Sequence, residues 1–323
     1  MFKEGVMSAG GAEQAIVRRV MAPDRLSIGL TLPLMPSGQE VVDVTEQRRL
    51  AKLADSAGFR ALWIRDVPLN SPDYPDPVGH LDPWSWLGAL AVETRQIALI
   101  SGAIVLTLRH PLHIAKAAAS VATLSEGRFI LGLGSGDRPP EFAAFGKDVA
   151  ERRRLFADHW RVVAKALSAS QEIVPDRHDT DSPDFQLRPL APEPVPLLAV
   201  GSGGQSVNWI ARHAIGWMTY HREPAQQRDR YRMWRAAVEQ SVPGEFRGFG
   251  EAMRLDLAAD PGAPAMPIDL GYRAGRNALI DVLEALREMG VHHVSLNLRL
   301  EERPADAIIE ELAAHVLPHF HRP

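Results

Sequence analysis

The feature that most constrains this chain is an alternation: short apolar runs rich in β-formers are separated, again and again, by longer stretches of helical period. Period-two or continuously apolar runs of four to eight residues read as strands, and apolar residues recurring every three or four positions read as amphipathic helices. The strands fall at residues 26–32, 61–65, 97–106, 128–133, 196–200, 216–220, 251–257 and 292–298. The helices fall at 43–57, 82–94, 113–124, 151–167, 206–213, 224–240, 276–289 and 305–316. The run 97–106 is apolar throughout, as a strand covered on both faces should be. Eight strands and eight helices in strict order predict an α/β fold, a closed (β/α)8 TIM barrel; an open doubly wound sheet usually has fewer strands. Insertions are expected after helix four (168–196, rich in Asp and Pro, with a further short strand at 185–188) and after strand seven (258–275). Residues 1–22 read as an N-terminal arm with a short helix over 12–20, and 23–323 as one barrel domain.

Composition removes several function classes. The chain has no cysteine, so a disulfide scaffold, a thiolate metal site and a cysteine nucleophile are excluded. A reducing cytoplasm suits such a chain. The formal net charge of -4 offers no broad attraction to nucleic acid or anionic lipid. No stretch approaches the roughly 20 apolar residues that span a bilayer, and residues 1–11 lack the apolar core of a leader. Histidine offers no metal site either. His292 and His293 are adjacent on a strand and point to opposite faces, no HExxH pattern occurs, and His319 and His321 lie in a tail expected to fray.

In a barrel of this kind the residues following each strand converge on one face. Asp66 follows strand two, His110 follows strand three, and Gly134, Ser135 and Arg138 follow strand four. Asp66 and His110 are the acid/base candidates, with Arg138 beside them to orient a substrate. Asp66 could equally serve an ion pair with Arg65 or Arg138, and His110 a loop hydrogen bond before Pro111. After strand five, Ser202, Gly203, Gly204 and Ser206 form a Gly/Ser turn that opens a helix and presents free N–H groups to an anion. The same turn would form with no ligand, glycine serving its conformation alone. The 132–136 run GLGSG resembles a dinucleotide fingerprint, but Asp137 stands where the third glycine belongs, so no Rossmann domain is expected.

Many matched positions in fixed order then point to a family. Arg109-His110-Pro111-Leu112, Ala115-Lys116, Leu124-Ser125, Gly127-Arg128, the 132–136 run and Phe145-Gly146 together resemble the bacterial-luciferase-like flavin family, and Ala57 to Trp63 fits its second strand and preceding helix. The resemblance spans roughly residues 26–315. It implies a flavin-dependent monooxygenase or oxidoreductase with FMN, or in some branches the deazaflavin coenzyme, at the carboxyl ends of the strands. It implies a small organic substrate, a homodimer, and in some members a separate flavin reductase. Carried over by position, Ser202, Gly203, Gly204 and Ser206 match the phosphate turn. Gly134 and Ser135 match positions beside the flavin ring and ribityl chain. Gly102 and Ala103 match a strand-three bulge that often carries a non-proline cis peptide. One departure stands out: where relatives place a catalytic histidine after strand two, this chain has Val67-Pro68, which cannot transfer protons. A flavin-independent barrel enzyme of phosphorylated metabolites and a non-catalytic flavin binder are the rival readings. The first would be favoured by a Schiff-base lysine at a strand end, and none is found there.

Overall fold

Eight parallel strands close on themselves in the order of the chain. The computed structural model describes residues 11–168, 172–173, 185–189, 191 and 193–321. The barrel strands are β1 (Ser27–Leu32), β2 (Ala61–Ile64), β3 (Ala98–Ser101), β4 (Phe129–Gly134), β5 (Leu197–Val200), β6 (Gly216–Tyr220), β7 (Gly248–Leu257) and β8 (His293–Leu298). Each pairs with the next, and β8 closes on β1 through Ser27 opposite His293. The outer helices are α1 (Val44–Ser56), α2 (Pro83–Glu93), α3 (Pro111–Leu124), α4 (Arg152–Ala166), α5 (Val207–His213), α6 (Pro224–Ser241), α7 (Arg276–Met289) and α8 (Ala305–His315). Local chemistry sets their starts. The Asp43 carboxylate accepts the Glu46 N–H at 3.1 Å, and Asp82 caps α2 with Pro83 in its first turn.

Two apolar layers hold the barrel. The outer one lies between strands and helices and includes Leu30, Leu62, Leu87, Phe129, Trp160 and Leu283. The inner one fills the barrel's amino-terminal end with Ala61, Trp63, Ile100, Ile130, Leu198 and Met218. Ile16 and Val20 of the helix Gly11–Val20, together with Met21, join this inner layer and plug that end. Room for Met21 is made at Gly216 and Gly248, where an added Cβ would stand 3.1 Å and 2.3 Å from its sulfur.

Four expectations need correction. Strand three is not continuous: it stops at Ser101, and Ile104–Val105 resume pairing with Leu133 and Gly134. Between them the Gly102–Ala103 peptide is cis, at the position the family resemblance marked. Strand seven begins at Gly248, three residues earlier than its pattern suggested. The loop after it is not coil: Met266–Ile268 and Gly271–Ala274 form a hairpin, and the second of these runs parallel beside β7. His321 is anchored, accepting the Ile28 N–H at 2.9 Å while its Nδ1 lies 3.0 Å from the Gly58 carbonyl. The short strand foreseen at 185–188 exists as Phe185–Gln186, paired with Glu172–Ile173; much of the surrounding 168–196 insertion lies outside the described residues.

Two buried histidines, His292 and His293, and the half-buried His321 make this barrel acid-sensitive. His293 accepts the Trp63 indole N–H at 2.8 Å, so its proton sits on Nδ1, which donates to Ser27 Oγ at 2.6 Å. His292 accepts the Phe249 N–H at 3.1 Å. Burial is the main cause that pushes their pKa values down from 6.5, to about 3 for His293 and about 4 for His292 and His321. Below pH 6.5 the unfolded chain takes up protons that the folded chain refuses. Each histidine therefore removes about 1.4 kcal/mol of stability per pH unit until its folded pKa is reached. Calorimetric melting temperature should fall steadily from about pH 6.5 towards pH 4. A flat profile over that range contradicts neutral burial.

Candidate active site

At the carboxyl ends of the strands a cavity of about 820 Å³ opens. Gly102, Ala103, Gly134, Ser135, Ser202, Gly203, Gly204, Asp66 and Arg138 all line it, so most of the residues singled out from sequence meet in one place. Two do not line it. His110 is the N-cap of α3, exposed, with its Nδ1 accepting the Leu112 N–H at 3.3 Å. Ser206 is the N-cap of α5 and accepts the Trp209 N–H at 3.2 Å. Ser206→Ala should therefore cost about 1 kcal/mol of stability through the lost cap. Denaturant titration measures this, and a flavin titration of the same variant should change by less than about threefold.

The turn from Gly201 to Gly204 carries the first chemical feature. Gly201, Gly203 and Gly204 have φ of 72°, 57° and 73°, and Gly203 lies so close to Phe156 that an added Cβ would stand 2.6 Å from its ring. Among the described residues no acceptor is bonded to the Ser202 and Gly203 N–H groups. The α5 helix behind them has only seven residues, so its dipole is a minor contribution. The larger charge comes from α4, which opens with Arg152, Arg153 and Arg154 and has no acid in its first turn. Cations at a helix N-terminus oppose the macrodipole by about 0.3–1 kcal/mol each. Arg154 is offset by Glu151 and Asp158. Arg152 lines the cavity, and the stem of Arg153 packs beside Gly204, where an added Cβ would stand 3.2 Å from its Cγ. Neither has a carboxylate partner among the described residues. Sequence reading missed both, although three arginines opening a helix was a visible signal.

The second feature is a clamp on strand three. Arg109 grips Asp66 with both terminal nitrogens, one at 2.8 Å, and the Val105 N–H donates to the same carboxylate at 2.9 Å. The Asp66 side chain is wholly buried. Burial raises its pKa, with Arg109 and Val105 pulling the other way. Its partner is thus Arg109, neither Arg65 nor Arg138. Asp66 ties the end of β2 to the backbone just past Ala103, where strand three re-enters the sheet.

Arg65 and Arg138 turn instead to Asp76, in the loop after β2. Both place a nitrogen 2.7 Å from Asp76 Oδ2, and His80 Nε2 lies 3.0 Å from Oδ1. Burial opposes ionisation of Asp76, but the bonds and charge of His80 and Arg65 prevail and hold it well below the usual carboxylate range. Arg138 also donates to the Leu69 and Tyr74 carbonyls at 3.4 Å and 3.2 Å, fastening the 67–81 loop across the cavity rim. Asp76 was invisible from sequence because its arginine partners lie 11 and 62 residues away. No His, Glu, Lys or Cys lines the cavity among the described residues, and Val67 is on its wall.

A closed parallel barrel with a strand-end cavity and an anion-suited turn defines a class of TIM-barrel proteins that take anionic ligands at their strand ends. Within that class, a family model described as luciferase-like monooxygenase matches residues 27–249, and the chain belongs to that family. An F420-dependent hydroxymycolic acid dehydrogenase of Mycobacterium tuberculosis is 32% identical over 178 residues, 54% of this chain and 48% of that protein. A 4-hydroxyprotoasukamycin monooxygenase of Streptomyces nodosus subsp. asukaensis is 28% identical over 184 residues, 54% of this chain and 47% of the other. The chain thus spans about half the length of these curated relatives. In fold, a monooxygenase from Streptomyces bottropensis superposes with a TM-score of 0.72 at 20% identity, covering 91% of this chain and 100% of that one. The oxygenating constituent of a Pseudomonas putida 3,6-diketocamphane monooxygenase, solved with FMN, gives 0.69 at 13% identity, covering 92% and 100%.

Proposed function

We propose that this protein is an FMN-dependent monooxygenase acting on a small organic substrate. The observation that carries the reading is the 201–204 turn, with the Ser202 and Gly203 N–H groups unbonded among the described residues, beside Arg152 and Arg153, neither of which has a carboxylate partner there, at one end of an 820 Å³ cavity. These residues suit a phosphate ester: oriented amides and guanidinium groups are its usual protein ligands. Gly102, Ala103, Gly134 and Ser135 would then line the flavin, where small residues let a flat ring lie close to backbone. Bound in reduced form, FMN would supply the electrons by which dioxygen gives one oxygen atom to the substrate and one to water.

The protein's own part is to bind, orient and shield. Val67 on the wall can neither give nor take a proton, so proton transfer in the site would fall to other groups lining it, of which Asp137 and Tyr220 are exposed. A deazaflavin-dependent hydride transfer is the second reading, favoured by the name of the M. tuberculosis relative. The reading includes a homodimer and a separate reductase supplying reduced flavin. Native mass spectrometry after adding FMN and, separately, the deazaflavin coenzyme tests cofactor, stoichiometry and subunit number together. One FMN per chain supports the proposal; retention of only the deazaflavin replaces it with the second reading.

A further inference from the structure

We infer that the substrate of this cavity is electrically neutral, because every cation on its wall away from the 201–204 turn is already in an ion pair with a carboxylate of the chain. The inference rests on the reading of the cavity as a cofactor and substrate site, and it deepens that reading to a substrate class.

Arg65 and Arg138 share Asp76, and the exposed Asp137 stands beside Arg138 in sequence and on the same wall. Asp66 is held by Arg109. Across the mouth, Arg254 pairs with Asp269 at 2.6 Å and Arg299 with Glu301 at 3.6 Å. Each guanidinium on this side therefore has a carboxylate partner, with Arg65 and Arg138 sharing Asp76. Among the described residues, the cavity's unmatched positive charge is confined to Arg152 and the neighbouring Arg153. An anionic group thus has one favourable place, which the cofactor phosphate takes. A second anion placed near Arg65 or Arg138 would compete with Asp76, whose side chain is 3% exposed and already bonded to three donors' side chains. It would also lose its own hydration without a free cation to replace it.

The rest of the wall agrees. Met35, Val67, Val78, Leu270, Leu298 and Leu300 share it with neutral polar groups, among them Thr219, whose buried hydroxyl has no partner among the described residues. Thr31 and Ser295 satisfy each other at 2.8 Å. Asn297 lines the cavity with its amide unbonded among the described residues, so it can meet one carbonyl or hydroxyl oxygen of a neutral guest.

The test compares 2-acetylnaphthalene with 2-naphthoate, similar in size and differing in charge, by calorimetric titration with the 201–204 turn occupied, by FMN or by excess inorganic phosphate. The neutral ketone should bind at least about tenfold more tightly than the carboxylate. Asp76→Asn, which removes one charge and leaves the Arg138 bonds to Leu69 and Tyr74 in place, should narrow that gap about tenfold by freeing guanidinium charge for naphthoate. Equal or tighter binding of naphthoate by the parent protein overturns the proposal, as does failure of the ketone to bind. Should Asp76→Asn not fold, the parent comparison decides alone. Loss of FMN binding would sink the cofactor reading, while the ketone-carboxylate comparison with the 201–204 turn filled by excess inorganic phosphate would still decide this one.

Discussion

Gly203→Ala is expected to lower FMN affinity roughly 100-fold, the equivalent of losing one or two hydrogen bonds to a charged group. Two effects act together. The residue sits at φ 57°, and its new Cβ would lie 2.6 Å from the Phe156 ring, itself fully buried beside Trp160. The left-handed conformation costs an L-residue about 1–2 kcal/mol, and forcing the ring aside about 1–3 kcal/mol more. The turn relieves both by moving, which takes the Ser202 and Gly203 amides away from the phosphate. Gly201→Ala is the control, because Gly201 has φ 72° but nothing within 4 Å of its Cβ position. It should cost only the torsional part, about 1–2 kcal/mol. Flavin fluorescence titration and denaturant unfolding on both variants separate the collision from the torsion. Equal behaviour would show that Phe156 does not shape the turn.

Arg109→Met should be the most destabilising single change in the site, by about 3–5 kcal/mol near neutral pH, because it leaves the Asp66 carboxylate buried and unpaired. The pH dependence has a definite sign. Burial already raises the folded pKa of Asp66 above 3.8, and Arg109 is the chief group holding it down. Without Arg109 it rises further, so the folded variant binds a proton the unfolded chain has released. The variant's deficit relative to the parent is then largest where Asp66 is ionised and shrinks as pH falls through the raised pKa. Paired urea titrations at about pH 8 and about pH 5.5 should show the gap closing. Asp66→Asn in the same background should remove the pH dependence of the gap. A deficit that grows on acidification would contradict the clamp.

Much of the architecture was legible because strand and helix periods differ and strand ends in a closed barrel must converge. The cap at Asp43 and the helix start at Pro83 follow from local chemistry, and the 201–204 turn from its glycine content. What escaped are features fixed by contacts far apart in sequence. Asp66 finds Arg109 across 43 residues, and Arg138 finds Asp76 across 62. No local pattern distinguishes such a carboxylate from one facing solvent. The break in strand three also left no mark on hydropathy, since Ser101 to Leu106 is apolar enough to read as one strand; the Ser101 hydroxyl bridges the gap by bonding both the carbonyl and the N–H of Gly132. Acid/base roles for His110 and Asp66 were inferred from position alone. Geometry gives His110 a capping contact and gives Asp66 the task of positioning strand three. The plugging role of Ile16, Val20 and Met21 was likewise hidden, because a short amphipathic helix does not say which core it enters.

The central claim is that the strand-end cavity holds a flavin by its phosphate. The most direct measurement is a crystal structure of the protein soaked with FMN. The account predicts ring density against Gly102, Ala103 and Gly134, with the phosphate on the 201–204 turn and within reach of Arg152 or Arg153. A fully soaked crystal whose cavity holds no flavin, or one whose phosphate lies on Arg254 or Arg299 across the mouth, would contradict it.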